Sequence, residues 1–197
     1  MRQDAADNRE AIVAAARQLL IDEGPGVSLR TIAKAASVGV ATASRHFPER
    51  IELLDAIGAQ AAADINEIVE RHLGEFGSDA RSAWRGAVHE IGNLQLAVVA
   101  QAIITDTMQN PETLSRRGQL VESRMAEIRD VYDRLLVPAK NARLCPADLD
   151  PLEFHMGLGV ITRPLPAGVP VPVDVDQLAA SLIDIALDGL ELRAQAK

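Results

Sequence analysis

Cysteine appears once in this 197-residue chain, aromatic residues make up only 3% of it, and apolar runs are short. The lone Cys145 excludes a disulfide framework and a cysteine metal cluster, and it fits a reducing cytoplasm. No run of about 18 apolar residues occurs, and the opening MRQDAADNRE lacks a signal-like apolar core. The expectation is a cytoplasmic protein with no membrane partner. A Gly-rich phosphate loop and a Ser-x-Gly elbow are also missing, so nucleotide chemistry and acyl transfer find no support. His89-Glu90 begins a zinc-protease pattern, but the residue four beyond His89 is Asn93, which leaves the ligand set incomplete. No catalytic residue, metal or cofactor is expected.

Apolar residues are plentiful at 48%, enough for a packed core. Richness in Ala and Leu with few β-branched runs points to an all-α chain. The net charge of −8 argues against a polyanionic partner until its distribution is considered. Between Ser28 and Arg50 stand Arg30, Lys34, Arg45 and Arg50 against Glu49 alone, a local +3 that leaves −11 on the remainder. Screening limits exposed charges to about 8–10 Å in physiological salt, so a small basic face on an acidic body can still bind phosphates.

That basic stretch, SLRTIAKAASVGVATASRHF, reads as two short helices joined by a tight turn. Ser28 is a candidate N-cap, and Ile32 and Ala33 give the first helix its apolar face. The periodicity breaks around Ser37 and Gly39, and Pro48 stops the second helix after Phe47. This is the helix-turn-helix pattern, whose second helix enters the DNA major groove. On a wheel of 100° per residue, Ala43 and Phe47 lie about 40° apart and face inward. Arg45 falls opposite them, flanked by Ala41, Thr42 and Ser44. Small and hydroxyl side chains beside an outward Arg suit close approach to base edges, where Arg can donate twice to guanine. A solvated surface helix carrying one charge fits the same residues.

Residues 9–57 resemble the N-terminal DNA-binding domain of the TetR (tetracycline-repressor-like) family. The matching residues are Ile12, Ala15, Ala16, Leu19, Leu20 and Gly24, then Ile32-Ala33, Val38, Thr42, Arg45-His46-Phe47 and Leu53-Leu54. Three positions depart from the family's pattern. A Gly usual in the turn is Ser37, an aromatic phosphate contact is Ser44, and a Lys opening the fourth helix is Arg50. Arg50 should keep the phosphate contact, whereas the shorter Ser44 weakens its own. The resemblance implies that Arg45 and Thr42 read bases. Ser28, Arg30, Thr31, Ser44, His46 and Arg50 would hold the backbone, with Val40 and Ala41 completing the DNA-facing set.

Taken in order, Asp7 and Glu10 form a capping-box pair for a first helix over about residues 8–23. A long helix from about 49 to 72 buries Ile51, Leu54, Ala61, Ile65 and Ile68. Further helices are expected over about 79–94 and 95–109, the second so apolar that it should be central to the body. Asn110-Pro111-Glu112 starts another helix, reaching about Val137 with Leu114, Val121, Met125, Ile128, Val131 and Leu135 inward. Asp150-Pro151 starts a helix that ends near Thr162, and the four prolines of Arg163 to Val173 make an extended loop. Asp174 and Gln177 open a final helix to about Arg193 with Leu178, Leu182, Ile185 and Leu192 on one face.

The second half also resembles one C-terminal class of the same family, through Arg163 to Val171 and Gly189-Leu190. That resemblance implies a homodimer formed by the last two helices, with Leu178, Leu182, Ile185 and Gly189 at the seam. The same stripe could instead pack within one chain. A helical body can hold an apolar pocket, and Trp84, His89, Asn93, Met108, Met125 and Tyr132 are the candidate liners. His155 and Met156 fit a pocket, a seam or plain core.

The expected architecture is all-α with about nine helices. A three-helix helix-turn-helix head over residues 1–48 precedes a larger helical ligand-binding and dimerisation body over residues 49–197. The expected function is a homodimeric, ligand-responsive regulator, in the first instance a repressor. It would bind double-stranded DNA at a palindromic operator and answer to an apolar or weakly polar small molecule. A helical small-molecule-binding protein or enzyme with a vestigial head is the competing expectation, separated from the first by a gel shift.

Overall fold

A computed structural model describes residues 2–109, 114–163, 172 and 174–196. Among these it shows helices and no strand: α1 (Arg2–Glu23), α2 (Leu29–Ala35), α3 (Val40–His46), α4 (Arg50–Leu73), α5 (Phe76–Asn93), α6 (Ala97–Gln109), α7 (Leu114–Asn141), α8 (Pro151–Ile161) and α9 (Val175–Gln195). The expected all-α architecture is present. The start signal at Asn110-Pro111-Glu112, the inward position of Leu114, and the proline loop except for Arg163 and Pro172 lie outside the described residues or side chains.

Two compact units make up the chain. Described residues of Met1–Gln60 and Val98–Val121 form the first, and those of Ala61–Ala97, Glu122–Leu165 and Pro170–Lys197 the second. The first unit's core joins Ile12, Ala16 and Leu20 of α1, Ile32 of α2, Ala43 of α3 and Leu53, Leu54 and Ile57 of α4. Val98, Val99 and Ala102 complete it, so α6 is part of this unit and is not central to the body. Its apolarity is real, but only one stripe is covered: Ile104 is 60% exposed and Met108 79%. The second unit's core gathers Ile65 and Val69 of α4, Trp84 and Ile91 of α5, and Tyr132, Leu135 and Leu136 of α7. Phe154 and Leu158 of α8 and Ile183 and Leu187 of α9 close it.

Caps written in the sequence set several helix starts. Asp150 Oδ1 accepts from the Leu152 and Glu153 amides at 2.9 and 3.0 Å, and Asp174 does the same for Asp176 and Gln177. Asp79 leaves helical geometry at φ −148° and ψ 86° and accepts from the Ser82 amide at 3.0 Å, so the regular part of α5 begins there. Two boundaries and one buried position differ from expectation. Helix α1 begins at Arg2, which puts Asp7 inside it as an early acidic residue and not as its cap. Helix α7 passes through Pro138 to Asn141, because Leu136, Ala139, Leu144 and Cys145 are all buried around that turn. Val121, expected inward on α7, is 39% exposed.

Candidate nucleic-acid interface

Helix α2 begins at Ser28, whose backbone is extended and whose Oγ accepts from the Thr31 amide at 3.1 Å. It ends on Ser37, at φ 57°, with the Ser37 amide donating to Lys34 O at 3.1 Å and the Val38 amide to Ala33 O at 3.0 Å. These two bonds form a Schellman motif, whose C′ position requires left-handed backbone. The family's usual Gly at this position therefore has a physical reason, and Ser37 occupies the same geometry at a cost. The turn delivers α3, which buries Ala43 and Phe47 as the wheel expects. Arg9 of α1 stacks over the Phe47 ring at 5.0 Å, pinning the end of α3 to the first helix.

Burying that stripe turns the other side of α3 outward. Ala41, Ser44 and Arg45 are exposed, Val40 is 47% exposed, and Thr42 and His46 are half-buried. Ser28, Arg30 and Thr31 are exposed at the start of α2. Arg45 lies back along its own helix, with Nε donating to Ala41 O and a terminal nitrogen to Thr42 Oγ1, each at 3.2 Å. Both bonds are on the exposed face and can be exchanged for acceptors on a base edge. Lys34, exposed in the last turn of α2, adds a cation that the expected contact set omitted.

Arg50 has a different environment. Its guanidinium donates to Val27 O at 2.8 Å and to Pro25 O at 2.6 Å, and its Nε lies 3.9 Å from Asp106 of α6. Nothing in the spacing of the sequence connected residue 50 to residue 106.

In the second unit, α9 also presents an outward face. Leu178 (46%), Leu182 (40%), Ile185 (67%) and Leu192 (68%) are exposed, while Ile183 and Leu187 on the opposite side are buried. An ion ladder fixes this rotation. Arg85 of α5 donates to Asp184 and Asp188, each at 2.6 Å, and His89 Nε2 lies 2.8 Å from the same Asp184 oxygen. Those bonds, His89 first, hold the Asp184 carboxyl below the usual carboxylate range. Close packing supports the ladder: a Cβ on Gly92 would meet Ile183 Cδ1 at 2.7 Å. Met156 and Val160 of α8 are exposed as well, at 56% and 76%.

Of the six expected pocket liners, Trp84, Tyr132 and Met125 share the second unit's core and the other three lie outside it. Trp84 and Tyr132 are fully buried core, His89 is in the ladder, and Asn93 is exposed. Met125 is half-buried against the core, and Met108 is exposed in the first unit. The Tyr132 hydroxyl lies 3.2 Å from His155 Nδ1, and burial pushes the phenol's pKa up and the imidazole's down. Burial also pushes the Cys145 thiol up to about 11, which removes it from thiolate chemistry. A groove of about 400 Å³ in the second unit lies between α8 and α9 over Val88 of α5, and none of the six lines it. Phe154, Leu158, Leu187 and Leu190 make it apolar, with Glu153 and Arg193 as its charged members.

The exposed recognition edge on a tripartite head, joined to a helical body, defines a helix-turn-helix DNA-binding regulator. Residues 12–57 match the family model described as bacterial regulatory proteins, tetR family. The chain also shares its fold with solved structures. It is similar to a TetR transcriptional regulator of Streptomyces coelicolor, with a TM-score of 0.64 at 24% identity over 92% of this chain and 97% of that one. It is also similar to a TetR regulatory protein of Mycobacterium vanbaalenii, with a TM-score of 0.58 at 21% identity over 96% and 98%. AmtR of Mycobacterium smegmatis matches with a TM-score of 0.55 at 24% identity over 91% and 85%. A comparison with curated proteins returns no match. Among the described residues no single helix is long and apolar enough to cross a membrane.

Proposed function

We propose that this regulator is a ligand-responsive repressor that binds a palindromic operator as a homodimer, with residues 1–48 as the DNA-binding part and residues 49–197 as the ligand-binding and dimerisation part. The observation that carries it is the division of α3, which buries Ala43 and Phe47 while presenting Val40, Ala41, Ser44 and Arg45 to solvent. In this reading Arg45 and Thr42 read base edges, and Val40 and Ala41 pack against them. Ser28, Arg30, Thr31, Ser44 and His46 hold phosphates. Arg50 is left out of that set because protein carbonyls already hold its guanidinium.

The seam of the homodimer is the outward face of α9, Leu178, Leu182, Ile185 and Gly189, continued by Met156 and Val160 of α8. What supports it is that these large apolar side chains are exposed within one chain, which leaves them in need of a cover. The effector is an apolar or weakly polar small molecule, supported by the mostly aliphatic and aromatic lining of the α8–α9 groove. Its binding favours a state whose two heads are wrongly spaced for the operator, and decisive release requires a preference of several kcal/mol.

A gel shift on duplexes selected from random DNA tests the reading. Binding that weakens in Arg45→Ala at unchanged helicity supports it. Absence of binding to any duplex at low salt refutes it.

A further inference from the structure

The loop between α1 and α2 is tied at its two ends, where the Gly24 amide donates to Leu20 O at 3.0 Å and Val27 is buried, while Pro25 and Gly26 between them offer little to hold it. Gly24 sits at φ 86°, Pro25 lacks an amide proton, and Gly26 has no side chain. Yet this loop ends on Ser28, whose backbone and hydroxyl set where α2 begins, and α2 in turn carries the turn that aims α3. Two of its three carbonyls between Pro25 and Val27 accept from one side chain, Arg50. Asp106, with a side chain only 3% exposed, lies 3.9 Å from Arg50 Nε, whose own side chain is 32% exposed. A buried carboxylate beside a guanidinium restricts it to rotamers that face the carboxylate, and here those rotamers also meet the two loop carbonyls. All of these residues belong to the first compact unit.

We infer that Asp106 of α6 is a positioning residue for DNA binding: it holds Arg50 against the carbonyls of Pro25 and Val27 and so fixes the start of α2. Arg50 thereby works as an internal clamp and not as a phosphate contact. The inference rests on the DNA-binding reading for its consequence, but the clamp itself can be tested without DNA.

The test has two arms, both on the full chain. In the first, hydrogen exchange is compared between the parent and Asp106→Asn, an isosteric change chosen to keep the unit folded. The expected result is faster exchange at the Thr31 and Ile32 amides, which bond to Ser28, with the α5 amides unchanged. Unchanged exchange at α2, or uniformly faster exchange throughout, overturns the clamp. In the second, affinity for a duplex selected from random DNA is measured across a salt series for Asp106→Asn, Arg50→Gln and the double variant. The expected result is weaker binding in each single variant and no further loss in the double variant. The slope of log K against log salt should stay that of the parent. A slope shallower by about 0.9 in Arg50→Gln marks a lost phosphate contact and overturns it. If no duplex is selected, the DNA-binding reading fails and the exchange arm alone decides the clamp.

Discussion

Helices α3 and α9 each turn one face inward and one outward, but the outward faces are of opposite chemistry. On α3 the exposed side chains are Ala41, Ser44 and Arg45, small or charged and beside the half-buried Thr42. On α9 they are Leu178, Leu182, Ile185 and Leu192, all large and apolar. Exposure by itself gives no partner, since most folded surfaces expose some apolar area. The difference lies in what each face could gain from contact. A small-residue edge with one guanidinium gains by hydrogen bonding to a polar groove. An aliphatic stripe gains by leaving water, and a second copy of itself across a twofold axis is a cover of matching chemistry.

Breaking the apolar face should have the largest effect. Leu182→Asp with Ile185→Asp places two carboxylates in the proposed seam, and the dimer should weaken by more than about a hundredfold. Sedimentation at micromolar concentration would show monomers with unchanged helicity. A dimer that survives both substitutions means the seam lies elsewhere. Breaking the polar face comes next. Arg45→Ala should lower operator affinity by about 1–3 kcal/mol and relax selectivity at one base pair, read by competition at fixed salt.

The smaller effects sharpen the comparison by touching the supports behind each face. Ser37 holds a left-handed backbone that Gly adopts freely, so Ser37→Gly should raise stability by roughly 0.5–1 kcal/mol without altering the α3 edge. Thermal melting checks it, and a lower melting temperature would contradict the reading of that turn. Behind the α8 face, burial lowers the pKa of the His155 imidazole, so the folded state favours the neutral ring. Its contribution is whole above the unfolded value of about 6.5 and is lost as pH falls below that value, because the unfolded chain takes up the proton first. The melting temperature should therefore decline from pH 7 toward pH 5, and His155→Gln should flatten the decline. Glu90, Asp150 and Asp184, whose carboxyls are held low, add a further loss only nearer pH 4.

Local chemistry was readable from the chain, and long-range pairing was not. Ser28, Asp79, Asp150 and Asp174 stand at the helix starts that their side chains cap, because a cap is satisfied by amides two or three residues away. The inward stripe of α3 followed from two apolar residues on an otherwise small and polar wheel. On α9 the same method shows a stripe but not its direction, since Ile183 and Leu187 on the other side are equally apolar. Which side meets the core depends on Gly92 admitting Ile183 and on Arg85 and His89 reaching Asp184, and these pairings cross the sequence. The same limit hid the place of α6 beside α1 and α4, and the meeting of Arg50 with Asp106. The expected pocket liners are hard to tell from core for a related reason. Size and amphipathic character mark Trp84 and Tyr132 equally well as core, and core is where they are.

The most direct test is selection of bound duplexes from a random pool with the full-length protein. The expected result is an inverted repeat whose half-sites lie about 10–10.5 base pairs apart, centre to centre, or a multiple of that spacing, with enrichment lost in Arg45→Ala. Enrichment of single, unpaired sites, or a selection that Arg45→Ala leaves unchanged, would contradict a symmetric dimer that reads DNA through α3.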